Sequence, residues 1–341
     1  MEKTFVFTLP RRIQYIFYKN PILSFGATFC SNVLAFSIKN SILKIDIHFK
    51  EVITLKIGFI GVGVMGGPMV LNLMKNGFDV SIYTRTKEKA QYVIDAGAHW
   101  CETVAEAARG RDVVITIVGY PKDVEEVYFG ETGIIANADK GTVLIDMTTT
   151  SPKLSQKIYT EAVSNGLTAL DAPVSGGDIG AQKGTLAIMV GGDKDVFDRM
   201  LPVFEAMGTN IRYQGVAGNG QHTKMANQIA ITGCIASVCE AITYAKNCGL
   251  DPQDMFNAIS TGAAGSWQMT NNGQKIINGD YTPGFFVKHF IKDMNIAIDE
   301  SDARDLGLEV LHLVRDKYVK LAQMGHEDNG TQALIKVIDK Q

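Results

Sequence analysis

The strongest constraint on this chain lies at residues 55–83. An apolar run, Leu55-Lys56-Ile57-Gly58-Phe59-Ile60, leads directly into Gly61-Val62-Gly63-Val64-Met65-Gly66. Apolar positions recur at helical spacing from Met65 to Asn76, at Met69, Leu71, Leu73 and Met74. Gly77 stops that helix, and Val80-Ser81-Ile82-Tyr83 reads as a second strand. In such a unit Gly61 permits the tight turn and Gly63 lets the backbone approach a pyrophosphate. Gly66 allows close packing of helix on strand. The helix N-terminus, with Val64 and Met65 in the turn before it, offers free N–H groups and a positive dipole end. A lone glycine motif of this kind is often only a turn. The strand, helix and strand around it are the context that makes it a dinucleotide site.

The end of the second strand chooses between dinucleotides. An Asp or Glu there would hold the ribose 2′-hydroxyl of NAD. This chain has Tyr83-Thr84-Arg85-Thr86. Arg85 can stack on adenine and pair with a 2′-phosphate, and Thr86 can donate a hydrogen bond to it, which favours NADP. An arginine capping a solvated loop is the alternative.

Further strands are expected at Asp112–Val118, Thr142–Met147, Leu167–Ala172 and Leu186–Val190. Ser151-Pro152 reads as a cap and first turn of a helix to about Asn165. The alternation predicts an α/β fold, a doubly wound, mostly parallel sheet, with ligands at the carboxyl ends of its strands. Val118 with Gly119-Tyr120-Pro121, Thr148-Thr149-Thr150 and Pro173-Val174-Ser175-Gly176-Gly177 occupy such ends.

From about Gly218 the strand signals vanish. Asn219–Asn247 reads as one long helix, uncharged from Met225 to Cys239. Helices follow near Pro252–Ser260, Trp267–Ile277, Phe286–Asp305, Leu308–Met324 and Thr331–Lys340. The organisation is thus 55–217 as a nucleotide-binding domain and 218–341 as an all-α substrate and oligomerisation domain. An uncharged stretch that short is too polar for a membrane span. Burial between domains and subunits is expected instead, in a homodimer or homotetramer.

Lys224 is the best candidate for chemistry, in Gly218-Asn219-Gly220-Gln221-His222-Thr223-Lys224-Met225-Ala226-Asn227-Gln228. A lysine opening an uncharged helix, if buried, has its pKa pulled toward working pH and can pass a proton to or from an alcohol. Asn227 and Gln228 lie on the neighbouring face and can hold the amine or a substrate oxygen. A lysine reaching solvent at the helix start is the plainer reading. Ser175, Gly176 and Gly177 offer a hydroxyl and backbone N–H groups suited to a substrate carboxylate; a tight loop needing glycine is compatible with that. His222 is expected to be structural, and Lys292 on a late helix can face the cofactor.

Composition removes other classes. The net charge of −3 leaves no basic footprint for nucleic acid. Cys30, Cys101, Cys234, Cys239 and Cys248 form no C-x-x-C pair, so neither a zinc site nor a disulfide framework is expected. There is no G-x-S-x-G elbow and no P-loop. Residues 1–54 stand apart: basic, with nine of the 29 aromatics. A transit peptide for the mitochondrial matrix, a poor membrane span at Asn20–Ile38, and a working start near Leu55 are the three readings. The last implies a cytoplasmic protein.

In order, Gly58–Gly66, Asp171–Gly177 with Gly184, Gly218-x-Gly220-x-x-x-Lys224, and Lys292-Asp293-Met294 resemble the β-hydroxyacid dehydrogenase family. The resemblance covers about Leu55–Ile338. It implies a Rossmann-like domain joined by a long helix to an all-α domain, with the site in the cleft between them. It further implies Lys224 as general acid/base, Ser175–Gly177 as carboxylate loop, and Thr149 and Lys292 as cofactor neighbours. The substrate would be a small β-hydroxy acid or semialdehyde acid. Many members carry Asn four residues after the lysine, where this chain has Gln228. Oxidative decarboxylation, imine reduction and a redox-inactive scaffold share this architecture and remain as alternatives.

Overall fold

A computed structural model describes residues 27–30, 33–38, 41–46 and 55–339. The chain divides into two units, Met1–Ile53 and Thr54–Gln341. In the first, β1 (Ala27–Cys30), β2 (Val33–Ile38) and β3 (Ser41–Asp46) form an antiparallel sheet in which Phe29 pairs with Leu34, and Leu34 with Ile45. The transit-peptide, membrane-span and late-start readings rest largely on residues outside those described.

The second unit is built on a nine-stranded sheet. Its strands are β4 (Lys56–Ile60), β5 (Asp79–Tyr83), β6 (His99–Trp100), β7 (Val113–Thr116), β8 (Val143–Asp146), β9 (Thr168–Asp171), β10 (Val174–Ser175), β11 (Leu186–Gly192) and β12 (Gly208–Gly215). The path β6-β5-β4-β7-β8-β9 is parallel throughout. Beyond it, β11 runs antiparallel to β9 and carries β10 antiparallel and β12 parallel. Every residue of β7 and β8 is buried, as strands covered on both faces must be. Met69 and Leu73 of the helix Gly66–Lys75 and Phe204 of Lys194–Glu205 share one core cluster. Val124 and Tyr128 of Pro121–Tyr128 and Ile158 of Pro152–Ser164 belong to another. Each such side chain contributes roughly 1.5–3 kcal/mol of transfer free energy. Ser151 caps the helix after β8, its Oγ accepting from the Leu154 N–H at 3.1 Å, with Pro152 in the first turn.

The long helix Asn219–Asn247 spans about 43 Å. Ile235, Val238 and Ile242 pack with Phe290 and Met294 of the helix Val287–Asp302 and Leu311 and Val314 of Glu309–Leu321. By length and composition this helix could cross a membrane, unlike the short uncharged stretch taken alone. It is also less enclosed than its composition predicts: Ala226, Ala230, Ser237 and Tyr244 lie exposed.

Several elements differ from expectation: the two-residue strands β6 and β10 are not among those expected, and the expected helix Leu308–Met324 passes into a π-helical turn at Ala322–His326. β12 is an edge strand whose Thr209, Asn210 and Arg212 alternate with Ile211 and Tyr213, so it lacks the apolar run of an inner strand. The expected helix Trp267–Ile277 contains a π-helical turn, Gln268–Gly273, before the short helix Gln274–Ile277. Such turns carry no periodicity signal of their own.

Candidate active site

At the carboxyl end of β4 the sheet changes direction, with β5 on one side and β7 on the other, and the glycine loop fills that crevice. Gly61 sits at φ +104, and a Cβ there would collide with the Ile117 carbonyl. A Cβ on Gly66 would collide with the Gly61 carbonyl, so these two glycines hold the helix against the strand. A Cβ on Gly63 would meet nothing within 4 Å. That side of the loop is open space at a helix start with no acidic residue in its first turn. The arrangement fits a pyrophosphate.

Gly61, Gly63, Val64, Met65 and Gly66 line a cleft of about 1640 Å³. That exceeds the usual size of a small-molecule pocket and suits a dinucleotide with a small substrate. Arg85, Val118, Thr149, Ser175, Gly176, Gly177, Lys224, Asn227, Gln228 and Lys292 line the same cleft. Thr86 is exposed and is not among the lining residues. Arg85 does not stand free: its Nη1 lies 3.1 Å from Asp123 Oδ1. The end of β5 carries no acid of its own, as the sequence shows, but Asp123 reaches Arg85 from the helix after β7.

Lys224 is 6 % exposed. Among the described residues no acceptor lies within hydrogen-bond reach of its amine. Burial pulls its pKa down to about 8; the Asp293 carboxylate opposes this, and the Lys292 charge reinforces it. Asp293 is buried, ion-paired to Lys292 at 2.9 Å, and its Oδ2 accepts from Gln228 Nε2 at 2.6 Å. Asn227 Nδ2 in turn donates to Gln228 Oε1 at 2.7 Å. Of the two roles read from spacing, holding the amine or a substrate oxygen, the first is not seen: Gln228 orients Asp293, and Asn227 orients Gln228. Lys292 Nζ donates to the Thr149 carbonyl at 2.6 Å, tying the helical domain to the loop after β8. His222 meets Arg304 at 3.4 Å and stays outside the cleft lining.

Sequence reasoning named Asp171, Gly218, Gly220 and Gln221 within its motifs but missed how they fix the start of the long helix. The carboxylate of Asp171, at the end of β9, accepts from the Gly218 N–H at 2.7 Å and the Gln221 N–H at 2.9 Å. Gly218 needs its glycine, at φ +92, and a Cβ on Gly220 would strike the Met189 and Asp171 carbonyls. The Gln221 side chain donates to the Thr148 carbonyl at 2.8 Å and accepts from the Thr150 N–H at 3.1 Å. Lys224 follows one turn later, so sheet, cofactor-side loop and lysine are registered by one helix start. The signal was present as an Asp closing a strand and a Gly-x-Gly opening a helix, but pairing them required the fold.

Residues 56–215 match the NAD-binding domain of 6-phosphogluconate dehydrogenase, and 218–338 match the NAD-binding domain of NADP-dependent 3-hydroxyisobutyrate dehydrogenase. An uncharacterized oxidoreductase of Bacillus subtilis is 53% identical over 82% of this chain and 98% of its own length. The 2-hydroxy-3-oxopropionate reductase of Escherichia coli is 36% identical over 84% of this chain and 97% of its own. Among solved structures, 3-hydroxyisobutyrate dehydrogenase of Mycobacterium tuberculosis with L-serine is similar at a TM-score of 0.77 and 32% identity, over 84% of this chain and 99% of that one. On these matches the chain belongs to the β-hydroxyacid dehydrogenase family, NAD(P)-dependent oxidoreductases acting on CH–OH groups.

Proposed function

We propose that the chain interconverts a small semialdehyde acid and its β-hydroxy acid, with NADP(H) preferred and Lys224 as general acid/base. The observation that carries this is the buried Lys224 amine, without a protein acceptor and with a pKa near 8, in the same cleft as the glycine loop. The nicotinamide cofactor, when bound, donates or accepts the hydride. The open Gly63 side of the loop, held in place by Gly61 and Gly66, would take its pyrophosphate, and Arg85 would meet its 2′-phosphate. The chain's own residues do the rest. In reduction the Lys224 ammonium hydrogen-bonds the carbonyl oxygen and gives it a proton as the alkoxide forms. In oxidation the neutral amine takes the hydroxyl proton. Burial and the Lys292 charge lower the Lys224 pKa, and the Asp293 carboxylate, paired to Lys292, limits that fall. Ser175 Oγ has no partner among the described residues, lines the cleft, and with Gly176 and Gly177 holds the substrate carboxylate. The exposed stripe Ala226, Ala230 and Ser237 supports a homodimer or homotetramer built on the long helix.

The test follows the reduced-nicotinamide absorbance of the full chain with NADPH and NADH in turn, offering tartronate, methylmalonate and succinic semialdehydes. Faster oxidation of NADPH with one semialdehyde supports the reading. A folded protein that binds nucleotide but oxidises neither cofactor with any of them contradicts it.

A further inference from the structure

We propose that Asp123 sets the cofactor preference by competing with the 2′-phosphate for Arg85. The inference rests on the nucleotide-binding reading but goes beyond it. A dinucleotide seated on the glycine loop places its adenosine ribose at the end of β5, where Arg85 stands. Arg85 is ion-paired there to Asp123 at 3.1 Å. The two partners differ in freedom. The Arg85 side chain is 73% exposed and that of Asp123 only 16%. The second oxygen of Asp123 is already engaged, accepting the Tyr120 N–H at 3.0 Å and so capping the helix Pro121–Tyr128. Arg85 can swing and Asp123 cannot. Glu126, one turn further along that helix, lines the same cleft and adds to the negative charge.

Two consequences follow from a fixed carboxylate beside a movable guanidinium. A 2′-phosphate that recruits Arg85 must stand within a few ångströms of Asp123, and the like charge weakens it. A ribose carrying a free 2′-hydroxyl meets the opposite situation, because Asp123 can accept its hydrogen bond. The acid that NAD sites carry at the end of the second strand is here supplied from the helix after β7. The wild type is therefore a compromise that takes both nucleotides, and its NADP preference is held below what Arg85 alone would give.

The experiment compares wild type, Asp123→Asn and Arg85→Ala. Asn keeps an oxygen for the Tyr120 N–H, so the helix cap survives and a melting curve checks it. Two readouts are taken: the ratio of kcat/KM for NADPH over NADH, and the ratio of affinities for adenosine 2′,5′-bisphosphate over 5′-AMP by calorimetry. Removing one negative charge beside a phosphate at an exposed site is worth about tenfold. Asp123→Asn is expected to raise both ratios about tenfold, chiefly by lowering KM for NADPH, with the gain shrinking at high salt. Arg85→Ala is expected to lower both. Unchanged ratios in a folded Asp123→Asn protein overturn the proposal, as does a fall in them. A tenfold rise in the probe ratio with no turnover of any semialdehyde would refute the activity proposed above and leave the role of Asp123 standing.

Discussion

Replacing Asp171 by Ala tests whether the start of the long helix is what places the lysine. The carboxylate is 3% exposed and accepts two backbone N–H groups, from Gly218 at 2.7 Å and Gln221 at 2.9 Å. Alanine leaves both donors buried and unpaired, at about 1–3 kcal/mol each. Burial already raises the pKa of this carboxyl, with the N–H bonds opposing it, so part of the loss is returned as relieved desolvation. A net destabilisation of about 3 kcal/mol follows, which lowers Tm by about 6–12 °C at 2–4 °C per kcal/mol. Catalysis should suffer separately, because Lys224 sits one turn beyond the freed N–H groups and near-attack geometry is intolerant of small shifts. The assay is thermal melting together with steady-state kinetics well below the new Tm. The expected result is kcat down by about tenfold to a hundredfold, with KM for cofactor little changed because the glycine loop is untouched. A folded variant with unchanged kcat would show that the Asp171 clamp does not position the lysine.

Other substitutions probe the remaining parts. Lys224→Met should lower kcat by about 10²–10⁴-fold while leaving nucleotide binding intact, measured by turnover and by quenching titration; retention of turnover within about tenfold refutes the acid/base role. Gln221→Leu strands the Thr148 carbonyl and Thr150 N–H, so it should cost about 2–4 kcal/mol by denaturant melting and raise KM for cofactor through the Thr149 loop. Asp146 is a stability probe: burial lifts its pKa from 3.8 to about 6, against hydrogen bonds from Thr148 and Thr116. Its folded form holds a proton more tightly than its unfolded form, so its contribution is fully present below about pH 4 and lost as pH rises through 6. Asp146→Asn should therefore gain on wild type by about 3 kcal/mol between pH 4 and 7, and a constant difference in melting free energy would refute this.

What could be read from sequence was local. The glycine loop, the Ser151 cap and the span of the long helix each depend on residues within a turn or two of one another. The cleft's electrostatics are not local. Arg85 and Asp123 lie 38 positions apart, and Gln228 and Asp293 lie 65 apart. Spacing alone therefore could pair neither Gln228 with Asp293 nor Arg85 with Asp123. β12 escaped notice for a different reason, since an edge strand with one wet face has no continuous apolar run. The π-helical turn at Gln268–Gly273 is invisible to any fixed helical period.

In the proposed mechanism one buried lysine carries the proton in both directions. The most direct measurement is the pH dependence of kcat/KM for oxidation and for reduction on the full wild-type chain. With Lys224 titrating near 8, oxidation should rise with pH and level off above about 8, because it needs the neutral amine. Reduction should be level below about 8 and fall above it, because it needs the ammonium. The Lys224→Met protein should lose both limbs. Profiles that stay flat through that range in both directions, or a limb near 8 that survives in Lys224→Met, would contradict the account.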